Sequence, residues 1–171
     1  MLSLTRRLLT SRKPLSRFST LIIPSPNSPS SDLGALLSAS SSLPSPVDIL
    51  QVCSSENSEN VISEIQSITP CSNVNSIFVN NIDGMEDNCH FHCLDEIKKF
   101  VSENKDKYTH VVMGNGNLSK EILPRLACAN DSQCISDIIS ILDYERFQRP
   151  IYAGNAISTV KVERQSTSGK N

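Results

Sequence analysis

Four short apolar runs, each followed by a stretch of helical periodicity, restrict what this chain can fold into more than any other feature. They cover residues 19–23, 47–53, 75–79 and 108–113 and are rich in Val, Ile and Leu. Apolar runs of that length, bounded by Pro, Gly or polar clusters, read as strands buried on both faces. Between them, apolar side chains recur at three- and four-residue spacing. Val61, Ile62, Ile65 and Ile68 form one such face, and Leu94, Ile97, Phe100 and Val101 form another. The expected helices cover residues 33–43, 56–67, 93–104 and 118–129. Asp32 is placed to cap the first, and Pro44 and Pro46 end it. Pro124 falls inside the fourth, where the lost backbone donor should kink it. Strands and helices alternating through short connections imply a mostly parallel sheet with helices on both faces.

Beyond residue 130 the pattern changes. Residues 134–142 read as a fifth buried strand. Residues 147–152 and 157–162 then alternate apolar and polar at period two, the signature of half-buried strands. They flank Ala153, Gly154, Asn155 and Ala156, and the Gly-Asn pair is expected to supply the positive φ of a tight reversal. The chain should therefore finish in a β-hairpin. Residues 164–171 carry no apolar side chain and read as a disordered tail.

The N-terminus differs from both regions. Residues 1–31 contain no Asp or Glu but hold Arg6, Arg7, Arg12, Lys13 and Arg17 among Ser, Thr and Leu. That is the composition of a mitochondrial transit peptide, expected over residues 1–18, with Leu2, Leu4, Leu8 and Leu9 on an amphipathic helical face. Taking those five charges from sixteen basic residues leaves eleven against eighteen acids, a net charge near −7. An acidic remainder without a basic patch argues against nucleic-acid binding. No run reaches the length of a membrane-spanning helix. Six cysteines without a secretory signal are expected to be free thiols, with Cys53 and Cys134 inside strands as small apolar residues.

Candidate chemistry is sparse. Gly114 and Gly116 lie between a strand and a helix, where backbone amides can cradle a phosphate, although a turn needs the same residues. Cys89, His90, His92 and Cys93 have metal-binding side chains but crowd into five residues, whereas zinc sites converge from separated pairs. An exposed loop without metal is the expectation. His110 has no evident nucleophile partner and reads as a core or edge histidine. Asp137 and Asp143 flank the fifth strand, a generic position for carboxylates.

Ser136 and Asp137, followed by Arg149, Ile151, Tyr152, Ala153, Gly154, Asn155 and Ala156, resemble the alpha subunit of electron transfer flavoprotein. Leu123, Pro124 and Arg125 match the same family, and Lys120 keeps its lysine. The resemblance runs loosely over residues 20–162 and tightly from Ile122. It implies a three-layer, doubly wound, Rossmann-like fold of the adenine-nucleotide-hydrolase-like kind, with the domain over residues 19–163 and a C-terminal hairpin. It further implies a heterodimer with a beta subunit in the mitochondrial matrix. Such a complex carries electrons from acyl-CoA dehydrogenases, in fatty acid beta-oxidation and amino-acid catabolism, to a quinone oxidoreductase. FAD would sit in a second domain following this one, and AMP in the beta subunit. None of the family's flavin residues maps onto this sequence. The expected role is a partner-docking first domain of an electron carrier, not redox-active alone; the alternative is a stand-alone nucleotide-binding α/β module. Asp137, Arg149, Tyr152 and Asn155 are the interface or fold candidates, with Tyr152 expected to pack and Asn155 to fill a turn position.

Overall fold

In a computed structural model, residues 2–7, 19–26, 29–43, 46–54, 57–68, 74–82 and 90–162 are described. The elements run β1 (Leu2–Arg7), β2 (Thr20–Ile23), α1 (Leu33–Ser40), β3 (Val47–Ser54), α2 (Ser58–Ile68), β4 (Val74–Ile82), α3 (His90–Glu103), β5 (His110–Gly114), α4 (Asn117–Ala129), β6 (Ser132–Ile138), β7 (Ser140–Ile141), β8 (Arg146–Ile151) and β9 (Ala156–Lys161). The main sheet has the order β4-β3-β2-β5-β1-β6, and β7-β8-β9 form a second, antiparallel sheet.

β4, β3, β2 and β5 are the four parallel strands expected from the apolar runs. All four residues of β2 are buried, as are the first seven of β3, because helices cover both faces. Strand alternation sends Leu21 and Ile23 to one face and Ile22 to the other. One face packs Ile22, Ile49 and Val112 with Leu33, Leu36, Val61 and Ile65 of α1 and α2. The opposite face packs Leu21, Leu50, Val52 and Val111 with Ile97 and Val101 of α3 and Ile122 and Leu126 of α4. Each fully buried side chain of this size contributes about 1.5–3 kcal/mol.

Several local expectations change. Asp32 makes no side-chain cap on α1; its carboxylate turns to Ser25 instead. The helix stops at Ser40, where hydroxyls of Ser40 and Ser41 donate to the carbonyls of Leu37 and Ser38 and compete with the helical ladder. The helix expected over residues 118–129 does continue past Pro124, as α4. His90, Phe91, His92 and Cys93 are not in an exposed loop: they form the first turn of α3, and the Cys93 side chain is buried. Cys89 lies outside the described residues, and among these there is no group of three or more side chains arranged to hold a metal. No helix among them is long and apolar enough to cross a membrane.

The largest difference lies at the N-terminus. Leu2–Arg7 form a strand, not a helix, and it enters the main sheet between β5 and β6, antiparallel to both. Residues 8–18 and the tail at 164–171 fall outside the described residues.

Candidate functional site

The carboxyl ends of β2 and β5 bracket the point where strand order reverses, the usual ligand crevice of an open parallel sheet. Gly114 and Gly116 lie there, and side chains already fill it. Asp32 accepts the Ser25 hydroxyl at 2.7 Å and the Ser25 amide at 3.2 Å. A Cβ on Gly114 would fall 2.0 Å from Asp32 Oδ2, so this glycine is needed to admit the carboxylate. A Cβ on Gly116 would meet nothing. The Gly116 amide donates to Ser119 Oγ at 3.0 Å, and the Ser119 hydroxyl donates back to the Gly116 carbonyl at 2.9 Å. The Gly116 amide is thus already used, and an acid stands against Gly114. Beneath, the fully buried Gln51 donates Nε2 to the carbonyls of Ser25 and Val52, while its Oε1 lacks a partner.

At the opposite end of the strands, Asp48 is fully buried and triply bonded. Lys107 Nζ lies 2.7 Å away, the Tyr108 hydroxyl donates at 2.9 Å and Asn75 Nδ2 donates at 3.1 Å. Burial pushes the Asp48 carboxyl upward, but hydrogen bonds from Lys107, Asn75 and Tyr108 and the Lys107 charge outweigh it and hold its pKa below the ordinary range. Burial, then the neighbouring Asp48, raises the Tyr108 hydroxyl far above its usual value. Lys107 also lies 5.1 and 5.0 Å from the ring centres of Phe78 and Tyr108. The cluster ties β3 to β4 and to the turn before β5, as a structural lock.

His110 joins the two sheets. It is fully buried, with Nε2 2.9 Å from the Tyr144 carbonyl and Nδ1 2.9 Å from Thr109 Oγ1. Phe147 of β8, also fully buried, lies beside it with ring centres 6.5 Å apart. The Val162 amide donates to the Glu145 carbonyl, so the strand ends close on each other at this joint. Asp143 accepts the amides of Glu145 and Arg146 at 2.8 Å and Arg146 Nε at 2.6 Å, fixing the turn into β8.

The other end of the hairpin points away from the core. β8 and β9 pair from Arg146↔Lys161 to Ile151↔Ala156, each strand starting and ending one residue earlier than the alternation predicted. The reversal is a single turn over Tyr152–Gly154, and the positive φ values fall on Tyr152 (50°), Ala153 (54°) and Gly154 (92°). Asn155 is right-handed, with φ −72°. Two non-glycine residues in the left-handed region store strain of roughly 1–2 kcal/mol each. Tyr152, expected to pack, is instead 78% exposed; Ile151 (36%) precedes it and Ile157 (61%) lies across the hairpin, paired with Pro150 and so on the face opposite to Ile151. An apolar, backbone-strained tip facing solvent is suited to receiving another surface.

The remaining candidates are scattered. Asp137 has φ 58° near the end of β6, where the chain leaves the main sheet for β7. The fifth strand expected over residues 134–142 is accordingly split, leaving Ile139 and Leu142 exposed. Arg149 has its Nε buried without a hydrogen-bond partner and forms no ion pair with Asp137 among the described residues. The structure thus gathers Arg149, Tyr152 and Asn155 on one hairpin, and leaves Gly114 and Gly116 in a separate crevice. Sequence reasoning missed Asp32, Asp48 and Lys107 as organising residues. A fully polar position inside the apolar run at 47–53 was the available signal for Asp48.

Residues 95–167 match the family described as electron transfer flavoprotein domain. The chain is 48% identical over 66 residues to a protein of Dictyostelium discoideum named electron transfer flavoprotein subunit alpha, mitochondrial, covering 39% of this chain and 19% of that one. It is 44% identical over 62 residues to the Arabidopsis thaliana protein of the same name, covering 36% and 17%. A probable mitochondrial alpha subunit of Saccharomyces cerevisiae is 30% identical over 131 residues, 77% of this chain and 37% of that protein. The matches thus span between 17% and 37% of these relatives' lengths.

Proposed function

Because the chain carries, over part of its length, an electron transfer flavoprotein domain of the alpha-subunit kind, we propose that it is a docking module for an electron transfer flavoprotein beta subunit. The observation that carries this reading is the hairpin tip. Tyr152 presents apolar surface on a backbone held in the left-handed region, with Ile151 and Ile157 exposed on the strands that lead into and out of the turn. Exposed aromatics of this kind are enriched where one protein anchors on another. Asn155 is exposed on the same hairpin and supplies a polar group to the rim, Arg149 lies behind it with its Nε buried, and Asp137 sets the point where the hairpin departs from the sheet.

FAD is the cofactor implied by the family. The crevice residues of this chain do not fit its phosphates, because the Asp32 carboxylate covers Gly114 and the Gly116 amide is bonded to Ser119. No electron-transfer step is assigned to this chain's own residues. In this reading electrons pass through the full complex, from acyl-CoA dehydrogenases to a quinone oxidoreductase, with AMP held by the beta subunit. The same two contacts disfavour the alternative of a stand-alone nucleotide-binding module. Residues 1–18 act as a mitochondrial leader, a reading supported by their composition and by the relatives' names.

The test is co-expression with the beta subunit of the same organism, followed by affinity capture. Capture of the beta subunit by the wild-type chain, weakened about tenfold or more by Tyr152→Ala, is the expected result. Absence of capture overturns the reading, and AMP binding by this chain alone would favour the alternative. A reporter fused to residues 1–31 should enter mitochondria; a diffuse cytosolic signal contradicts the leader.

A further inference from the structure

The turn between β5 and α4 carries chemistry that neither partner docking nor phosphate binding uses. Asn115 is the one asparagine of the chain that is followed by glycine. Both residues are exposed, and no hydrogen bond holds the Asn115 side-chain amide among the described residues. Gly116 has extended backbone (φ −148°, ψ 174°), and a Cβ built on it would meet nothing within 4 Å. Unlike Gly114, it is not a glycine that the packing requires. Its effect is chemical: without a side chain, the Gly116 backbone nitrogen is unhindered, and it stands one ring closure from the Asn115 side-chain carbonyl carbon. A single contact restrains that nitrogen. The Gly116 N–H donates to Ser119 Oγ at 3.0 Å, and Ser119 is only 2% exposed. The following peptide group is held too, since the Gly116 carbonyl accepts the Ser119 hydroxyl at 2.9 Å and the Lys120 amide at 3.2 Å. The nitrogen can attack only after its proton and its orientation are released from Ser119.

We propose that Asn115 is a site of spontaneous deamidation and that Ser119 sets its rate. The Gly116 nitrogen attacks Cγ of Asn115, forming an N–Cγ bond and closing a five-membered succinimide. The Cγ–Nδ2 bond breaks, and Nδ2 leaves as ammonia with the proton that the Gly116 amide has given up. Water then opens the ring at one of its two carbonyl carbons. Opening at Cγ leaves aspartate at position 115; opening at the main-chain carbonyl leaves isoaspartate, with the chain running through the former side chain. No oxidant or cofactor enters. Either product places a negative charge just before the N-terminus of α4, where the helix dipole favours it. The isoaspartyl product also adds a main-chain carbon between β5 and α4, against the close approach of Gly114 to Asp32. This inference is independent of beta-subunit docking, which is placed at the hairpin tip.

Incubation of the full chain at mildly alkaline pH, followed by peptide mapping in the mass spectrometer, tests it. In the wild type Asn115 should convert before any other asparagine, and more slowly than in a synthetic peptide of residues 111–119. Its rate should rise with pH, because the attacking nitrogen must lose its proton. Ser119→Ala, which removes the one acceptor of the Gly116 amide, should speed conversion roughly two- to tenfold. Gly116→Ala should suppress it, since a methyl group crowds the attacking nitrogen while the extended backbone accepts alanine without strain. Asn115 left intact in the wild type after the peptide has converted overturns the proposal. So does conversion at the peptide's own rate, an unchanged rate in a folded Ser119→Ala chain, or an unchanged rate in Gly116→Ala. Hydrogen exchange over Ile122–Ala127 reports whether α4 survives in Ser119→Ala; if it does not, the comparison of wild type with peptide and the Gly116→Ala variant decide.

Discussion

The parallel core and the C-terminal hairpin are built by opposite rules. In β2 and β3 nearly every side chain is buried, and even the polar ones, Asp48 and Gln51, are drawn inside. In β8 and β9 burial is confined to one end, where Phe147 meets His110, and it falls away towards Tyr152. The core pairs its buried polar groups internally apart from Gln51 Oε1; the hairpin tip leaves apolar surface and backbone strain facing solvent. The family match starts within α3 and runs through the hairpin, so likeness to known proteins includes the outward-facing region. The lesson is that the first region makes the domain stable, whereas the second is available for recognition.

The contrast is most sharply broken at the joint. Phe147→Ala, which empties the space between the sheets, should cost about 3–5 kcal/mol in urea denaturation. A much smaller cost would mean that the hairpin is not anchored by this ring. Asp48→Ala should cost about 3 kcal/mol, because it leaves the buried Tyr108 hydroxyl without its acceptor. The pH dependence has a definite sign. The folded-state pKa of Asp48 lies below its ordinary 3.8, so the carboxylate's contribution is fully present above that value. It is lost as the pH falls through the lower, folded value. Acid titration of stability should show this loss in the wild type and lack it in Asp48→Ala.

Gly114→Ala should cost about 1–3 kcal/mol by pushing against Asp32, while Gly116→Ala should change thermal stability little. Equal effects would contradict the placement of the carboxylate over Gly114. Tyr152→Ala should alter stability by no more than about 0.5 kcal/mol, since the side chain is 78% exposed. A large loss there would make Tyr152 a folding residue and erase the distinction between the two regions.

Much of the fold was legible because strand and helix periodicities are local. Residues 47–53 and 108–113 needed no partner to read as buried strands, and residues 147–162 read as a hairpin within one residue of its observed ends. The candidate site was less legible. Tyr152 has the composition of a packing residue, and only the left-handed backbone at Tyr152 and Ala153 turns it outward. Asp32 has the position of a helix cap, but Ser25 and the open space over Gly114 offer its carboxylate a better place.

The order of amino acids by itself determined which segments extend, which coil, and that parallel strands must be covered on both faces. The tertiary structure decided that Leu2–Arg7 enters the sheet, that Asp48 meets Lys107 and Tyr108, and that the hairpin closes on His110. Periodicity is set by neighbours a few positions away. Strand order and buried pairing instead depend on which distant backbone groups remain unsatisfied once the chain has collapsed, and no local pattern encodes that.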